Sequence, residues 1–489
     1  GGAGGAAGTG GSGGFGGTGG ATVVTLAGGK LSNSDGVGGA GGAGGAAGQA
    51  GLGGSGGAGG VFGRTGAHGA SGVSGDDGGE GGDGGDGGLG GRLPLIDLNS
   101  ASPAQAELAA LMKMLGLPIQ EATGIQLEDA QGRLVGPLND YLYNTVIGSA
   151  IFDVGNTFSS STLPAPVREI VILSVGGQWG SDYELYAHEI AARLYGVPED
   201  AIASLTSGQA PVGLTGDQLI AAQFVQQLVS TYHVDDALYT AAEAAFGRAG
   251  VVDMVNLAGV YLGVSATLNA FEAQGPTQYG PGVAPVPTPP SPDGGNGLGG
   301  RLPLIDLDSA APAQLDLAAQ MKAIGLPIQQ ATGIEIVDSQ GRLIGPLNAY
   351  LYNPVTGGAV FEVGNTFSSS TLSPAVREIV ILSVGGQWGS DYELYAHEKV
   401  ARLYGVPEEA IASLASGQAP VGLTGDQLAA AQFVQQLIST HHVSNELYHA
   451  AEAAFGQTGL VDMVNLASTY LGASALLNAF EVPVPATTQ

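Results

Sequence analysis

The chain has 489 residues, enough for two or three domains with cores of ordinary size. Only 14 Lys and Arg stand against 43 Asp and Glu, and the formal charge of −29 disfavours nucleic acid and anionic membrane surfaces as partners. With no Cys at all, disulfides, thiolate metal sites and thiol redox chemistry are excluded.

Residues 1–91 form a glycine-rich segment that holds about half of the 87 glycines and too few large apolar residues to close a core. Glycine at two places in three fits extended polyglycine-II helices packed side by side, and equally a flexible tether. In "GDDGGEGGDGGDGG", Asp77, Glu80, Asp83 and Asp86 recur every three residues and would line one edge of a helix with three residues per turn. Such a carboxylate ladder repels itself unless it is solvated or bridged by cations. A solvated edge is the first reading; a calcium site is the second, and no other cofactor is expected. No basic and apolar leader opens the chain, so an export signal lies upstream of these residues or is absent.

"RLPLID" at Arg92 returns at Arg301 and opens two segments that align without a gap at an offset of 209 residues, each closing on "LNAFE". The expected organisation is therefore a first copy over 92–272, a Pro/Gly linker over 273–300, a second copy over 301–481 and a tail over 482–489. The near-identity of the copies points to a recent duplication and one shared fold. The linker prolines favour an extended, semi-rigid spacer.

Within a copy the signals are helical. "PAQAELAALMKMLG" at 103–116 spaces its apolar residues at three and four, and Gly116 reads as its stop. "VREIVILSV" is strand-like in composition, but Ser373 and Pro374 in the second copy form a helix start. Helices follow over 181–196 and from Pro198, then from Thr215, whose spacing to Gln218 is that of a capping box. "ALYTAAEAAFG" and the apolar stretch 251–271 close the copy. That stretch is long enough to span a bilayer, but Asp253 and Asn256 interrupt it, so the central helix of a bundle is expected and no membrane span. Each copy thus reads as an all-α bundle of six or seven helices behind a loop-rich arm.

On a helix, Ser181, Glu184 and His188 fall within an arc of roughly 60°. A carboxylate four residues before an imidazole can fix its tautomer and raise its basicity, as a general acid or base requires. Glu169 reaches the same face if its helix folds back against the next around "GGQWG"; the matching set is Glu378, Ser390, Glu393 and His397. The plainer reading is a solvated ion pair, with Trp179, Tyr183 and Tyr186 as packing residues. In the second copy His441, His442, Glu446 and His449 suggest a metal cluster, but the two adjacent histidines diverge in direction on a helix and the first copy lacks the set.

Arg168-Glu169, the glycine turn, "YELYAHE" and "AARLYGVPEDAI" resemble the core of the carboxymuconolactone decarboxylase and alkylhydroperoxidase D-like family, clearest over 163–208. The resemblance implies two tandem all-α bundles of that fold, and either a homo-oligomer, since the family usually forms trimers or hexamers, or an intramolecular pseudo-dimer. The peroxidase branch has Cys at the places of Ser181 and Glu184, so thiol peroxidase activity is ruled out here. The decarboxylase branch keeps the His and implies removal of carbon dioxide from a small carboxylated lactone. His188 and His397 would move the proton, Glu169, Glu184, Glu378 and Glu393 would orient and tune them, and Arg168, Ser181, Arg377 and Ser390 would hold the substrate, with Arg193 a further choice for its carboxylate. The alternative is a non-catalytic surface protein that uses the helical fold for assembly or ligand binding. The glycine-rich segment resembles that of mycobacterial PE-PGRS proteins, through "GGAGGAAGTGGSGG", which implies secretion or display at the cell envelope; their N-terminal helical domain is not in this sequence.

Overall fold

Ser102 closes a capping box with Gln105 and starts α1 (Pro103–Thr123). The computed structural model describes residues 91–276, 278–288 and 297–485. The acidic run Asp77, Glu80, Asp83 and Asp86 lies outside the described residues. After α1 come α2 (Pro137–Asp140), α3 (Thr145–Thr157), α4 (Ala165–Trp179), α5 (Asp182–Leu194), α6 (Glu199–Thr206), α7 (Gly216–Thr231) and α8 (Asp236–Ala270). The second copy repeats them as α9 (Pro312–Thr332), α10 (Pro346–Tyr350), α11 (Pro354–Thr366), α12 (Pro374–Trp388), α13 (Asp391–Leu403), α14 (Glu408–Ala415), α15 (Gly425–Thr440) and α16 (Asn445–Ala479). Among the described residues the only β structure is two isolated bridges, Glu128–Leu134 and Val337–Leu343. The chain is all-α.

Three boundaries differ from the sequence reading, each for a local reason. α1 runs through Gly116 and Pro118 and stops at Gly124, whose φ of 77° is the left-handed cap. Gly116 is a close-approach position: a Cβ there would lie 2.8 Å from Leu127 Cδ1. Thr215 makes no side-chain cap, because Gly216 takes φ of 55° and turns the chain before the helix proper begins. The last two expected helices are one element, α8, kinked where Gly247 adopts φ 66° and ψ 169°; Gly456 kinks α16 in the same way. That merger lowers the expected count of six or seven, but α2 and α3, which lie where a loop-rich arm was expected, bring it to eight α-helices in each copy among the described residues.

α4 is buried over most of its surface and packs on α5, α6, α7 and α8. α8 and α16 are long and apolar enough to cross a membrane, but they are mostly buried in the protein and cross each other at its centre. Small residues permit the approach: a Cβ on Gly259 would meet Gly472 Cα at 2.8 Å, and one on Gly263 would meet Ser468 Cβ at 2.9 Å. The main apolar core is continuous across the two copies.

The contacts between copies are reciprocal. Trp179 stacks on His441, and Trp388 stacks on Tyr232, each with ring centroids 4.3 Å apart. Asn144 Nδ2 donates to Asp462 Oδ1 at 2.7 Å, while Asn353 Nδ2 donates to Asp253 Oδ1 at 2.5 Å. Arg92 donates to the Val443 carbonyl, and Arg301 to the Val234 carbonyl. The described linker residues are held against the first copy, with Val283 N bonded to Gln178 O and Val286 N to Ser230 O.

Candidate functional site

Gly180, at φ 63°, closes α4 by returning its N–H to Gly176 O, and Ser181 starts α5 one residue later. So short a connection folds α5 back along α4. Glu169 and His188 therefore meet across nineteen residues of chain: His188 Nδ1 lies 2.7 Å from Glu169 Oε2. On the other side of the ring Nε2 lies 3.3 Å from Glu184 Oε1, one helical turn earlier on α5. The second copy repeats both contacts, with His397 Nδ1 2.8 Å from Glu378 Oε2 and Nε2 3.4 Å from Glu393 Oε2. Both carboxylates are buried, whereas the His188 side chain keeps 21% of its surface exposed. Tyr261 of α8 packs edge-on against the imidazole with centroids 5.0 Å apart, and Tyr470 does the same for His397.

This arrangement sets the protonation states. Burial lifts the Glu184 carboxyl to about 7, opposed by His188 and reinforced by Glu169. Burial works against the His188 imidazolium, but Glu184 and Glu169 outweigh it and carry the ring to about 9. The second copy shifts in the same directions, Glu393 upward through burial and His397 upward through its two carboxylates against burial. At neutral pH His188 thus holds its proton, and Glu184 is the group that exchanges one. Burial, then Glu184 and Glu169, keep the Tyr261 hydroxyl neutral.

The other expected site residues stand differently. Ser181 and Ser390 are fully buried at the starts of α5 and α13, and their hydroxyls have no hydrogen-bond partner among the described residues. Each stands at the N-cap, one residue before its helix begins. Arg168 donates to the Leu163 carbonyl at 2.8 Å, and Arg377 to the Phe367 carbonyl, so each guanidinium is partly committed to the backbone. Arg193 is tied on the surface to Glu189 and Glu199. Tyr183 and Tyr186 bind α5 to the arm, through Gln126 O and Gln126 N respectively.

His441 and His442 do not lie on a helix as expected, because α15 ends at Thr440 and His441 takes φ of 61°. His441 is buried against Trp179, and burial, with His442 adding to it, holds its pKa down at about 4. His449 is exposed beside Glu452. No group of three or more His, Asp and Glu is arranged to hold a metal ion among the described residues.

Two features escaped the sequence reading. Tyr261, which covers the imidazole, gives no local signal because it sits among apolar neighbours, in "LAGVYLGV". Asp253 was visible only as an interruption; it is fully buried and accepts bonds from Ser161 Oγ, Thr162 N, Thr162 Oγ1 and Asn353 of the other copy. A polar residue retained inside an apolar helix is the signal for such a junction.

Comparison of the chain with models of protein families gives no match, and comparison with curated proteins gives none.

Proposed function

We propose that residues 92–272 and 301–481 are two carboxymuconolactone decarboxylase-like helical domains, paired as an intramolecular pseudo-dimer, and that each carries a His-centred acid–base site. The observation that carries this reading is the buried Glu169–His188–Glu184 array, with one ring nitrogen on each carboxylate and one carboxyl poised near neutrality. The substrate class, a small carboxylated lactone, comes from the resemblance to the decarboxylase family, and delivery of the chain to the cell envelope or outside it from the resemblance of the glycine-rich segment to PE-PGRS proteins.

In the proposed reaction the bond from the ring carbon to the carboxylate breaks and carbon dioxide leaves. The bonding pair moves into the conjugated lactone carbonyl. Nε2 lies 3.3 Å from Glu184 Oε1 without a hydrogen bond, so its proton is free to go to carbon; the protonated carboxyl of Glu184 then reprotonates the ring and regains its own proton from water. Glu169 holds Nδ1–H throughout and fixes the orientation of the imidazole. Arg168 is the candidate to hold the substrate carboxylate, through the guanidinium N–H groups it does not give to Leu163.

One observation favours a second reading. Tyr261 packs directly on the imidazole, and the cavity between the copies has Tyr141 but not His188 in its wall, as an assembly or ligand-binding module would show. Turnover of a panel of carboxylated lactones, followed as carbon dioxide release, separates the two. The His188→Ala/His397→Ala double variant is expected to lose it. Absence of turnover by the unaltered protein, or turnover that survives the double substitution, refutes the acid–base reading and leaves the non-catalytic one.

A further inference from the structure

Beside the crossing of α8 and α16 lies a cavity of ≈ 60 Å³ whose wall is drawn from both copies. Tyr141 and Tyr350, equivalent residues of the duplication, both line it, and so do Asn256 and Asn465. The remaining wall is largely aliphatic, including Ile151 and Val360, with no Asp, Glu, Lys, Arg or His among the residues that line it. Asn256 is 6% exposed and Asn465 1%, and the amide nitrogen of each has no hydrogen-bond partner among the described residues.

An unpaired amide at that depth costs about 1–3 kcal/mol, and a leucine of similar shape would fill the same place without the cost. Two unpaired donors are thus buried at the seam of the copies, in an uncharged wall whose other polar side chains are the hydroxyl-bearing Tyr141, Tyr350, Thr267, Ser468 and Thr469. We propose that this cavity binds a small, neutral molecule of about four heavy atoms bearing an acceptor oxygen, of the chemical class of a short acyclic ketone, with Asn256 and Asn465 donating to it from the two copies. Neutrality follows from the uncharged wall, where a bare charge would go uncompensated. Small size follows from the volume, which holds on the order of four water molecules. The site exists only where the copies meet, and it stands independently of any chemistry at His188.

Acetone is a suitable probe, with acetate as its charged counterpart and saturation-transfer NMR as the readout on the full chain. Acetone is expected to receive saturation and acetate to receive none. In the Asn256→Leu/Asn465→Leu variant the melting temperature should be unchanged or higher, because two unpaired amides are gone, while acetone binding weakens about tenfold or more. The His188→Ala/His397→Ala variant should bind it as the unaltered protein does, so failure of the acid–base reading leaves this one standing. The proposal is overturned by no transfer to acetone, by equal transfer to acetate, by binding that the leucines leave intact, or by a leucine variant that melts lower, which would assign the amides to internal structure.

Discussion

Replacing Glu169 with Gln keeps the shape of the side chain and an acceptor oxygen, and removes the charge that faces His188 Nδ1 at 2.7 Å. A hydrogen bond to a charged partner is worth about 1.5–3 kcal/mol, and one pKa unit corresponds to about 1.4 kcal/mol, so the imidazole should fall by about one to two units from its value near 9. Stability must follow. The folded His188 binds its proton more tightly than the unfolded ring at 6.5, so its contribution is complete below that pH and disappears as pH rises through about 9. Glu184 acts in the same direction: its folded carboxyl, raised from 4.5 to about 7, holds a proton that the unfolded chain has released, and that contribution is lost between those values. The urea midpoint of the unaltered protein should therefore decline from about pH 5 to pH 9, and the Glu169→Gln variant should decline less steeply above pH 7. Imidazole ¹⁵N shifts measured against pH give the direct reading, with His188 assigned among the seven histidines by its loss in His188→Ala. A wild-type His188 that titrates at its ordinary 6.5, or one that Glu169→Gln leaves in place, would show that the two carboxylates do not hold the proton.

Three further outcomes test the packing. Gly259→Val places a Cβ 2.8 Å from the Gly472 backbone, which cannot swing aside, so urea unfolding should show a loss of about 1–3 kcal/mol or more. Trp388→Ala removes a side chain only 3% exposed together with its stacking on Tyr232; a loss of about 3–5 kcal/mol in the same assay is expected, against little change if the copies are not joined there. Asp253→Ala leaves donors on Ser161, Thr162 and Asn353 without their acceptor, and should lower stability by about 3 kcal/mol, whereas an unchanged midpoint would mean that water replaces the carboxylate at no cost.

Helix periodicity and the duplication were legible in the chain, because both are properties of residues near one another or of a literal repeat. The stop assigned to Gly116 was wrong for an instructive reason: glycine at a helix end and glycine under a close contact look alike until Leu127 is in place. The same limit hid the role of His441, a residue that reads as a metal ligand by type but lies under the Trp179 of the other copy. Trp179 read as a packing residue and is one, although its partner lies 262 residues away and no pattern in the sequence names it.

The register of Glu184 and His188 was set by the sequence alone, since residues four apart on a helix share a face whatever surrounds them. So was the absence of thiol chemistry, which needs only the missing Cys. Tertiary structure decided the rest. It brought Glu169 to the second ring nitrogen, buried Glu184 deeply enough to titrate near neutrality, and joined the two copies around a shared cavity. A side chain's direction follows from local helix geometry, whereas its proton affinity and its partners depend on desolvation and on charges carried in from elements far away in the chain.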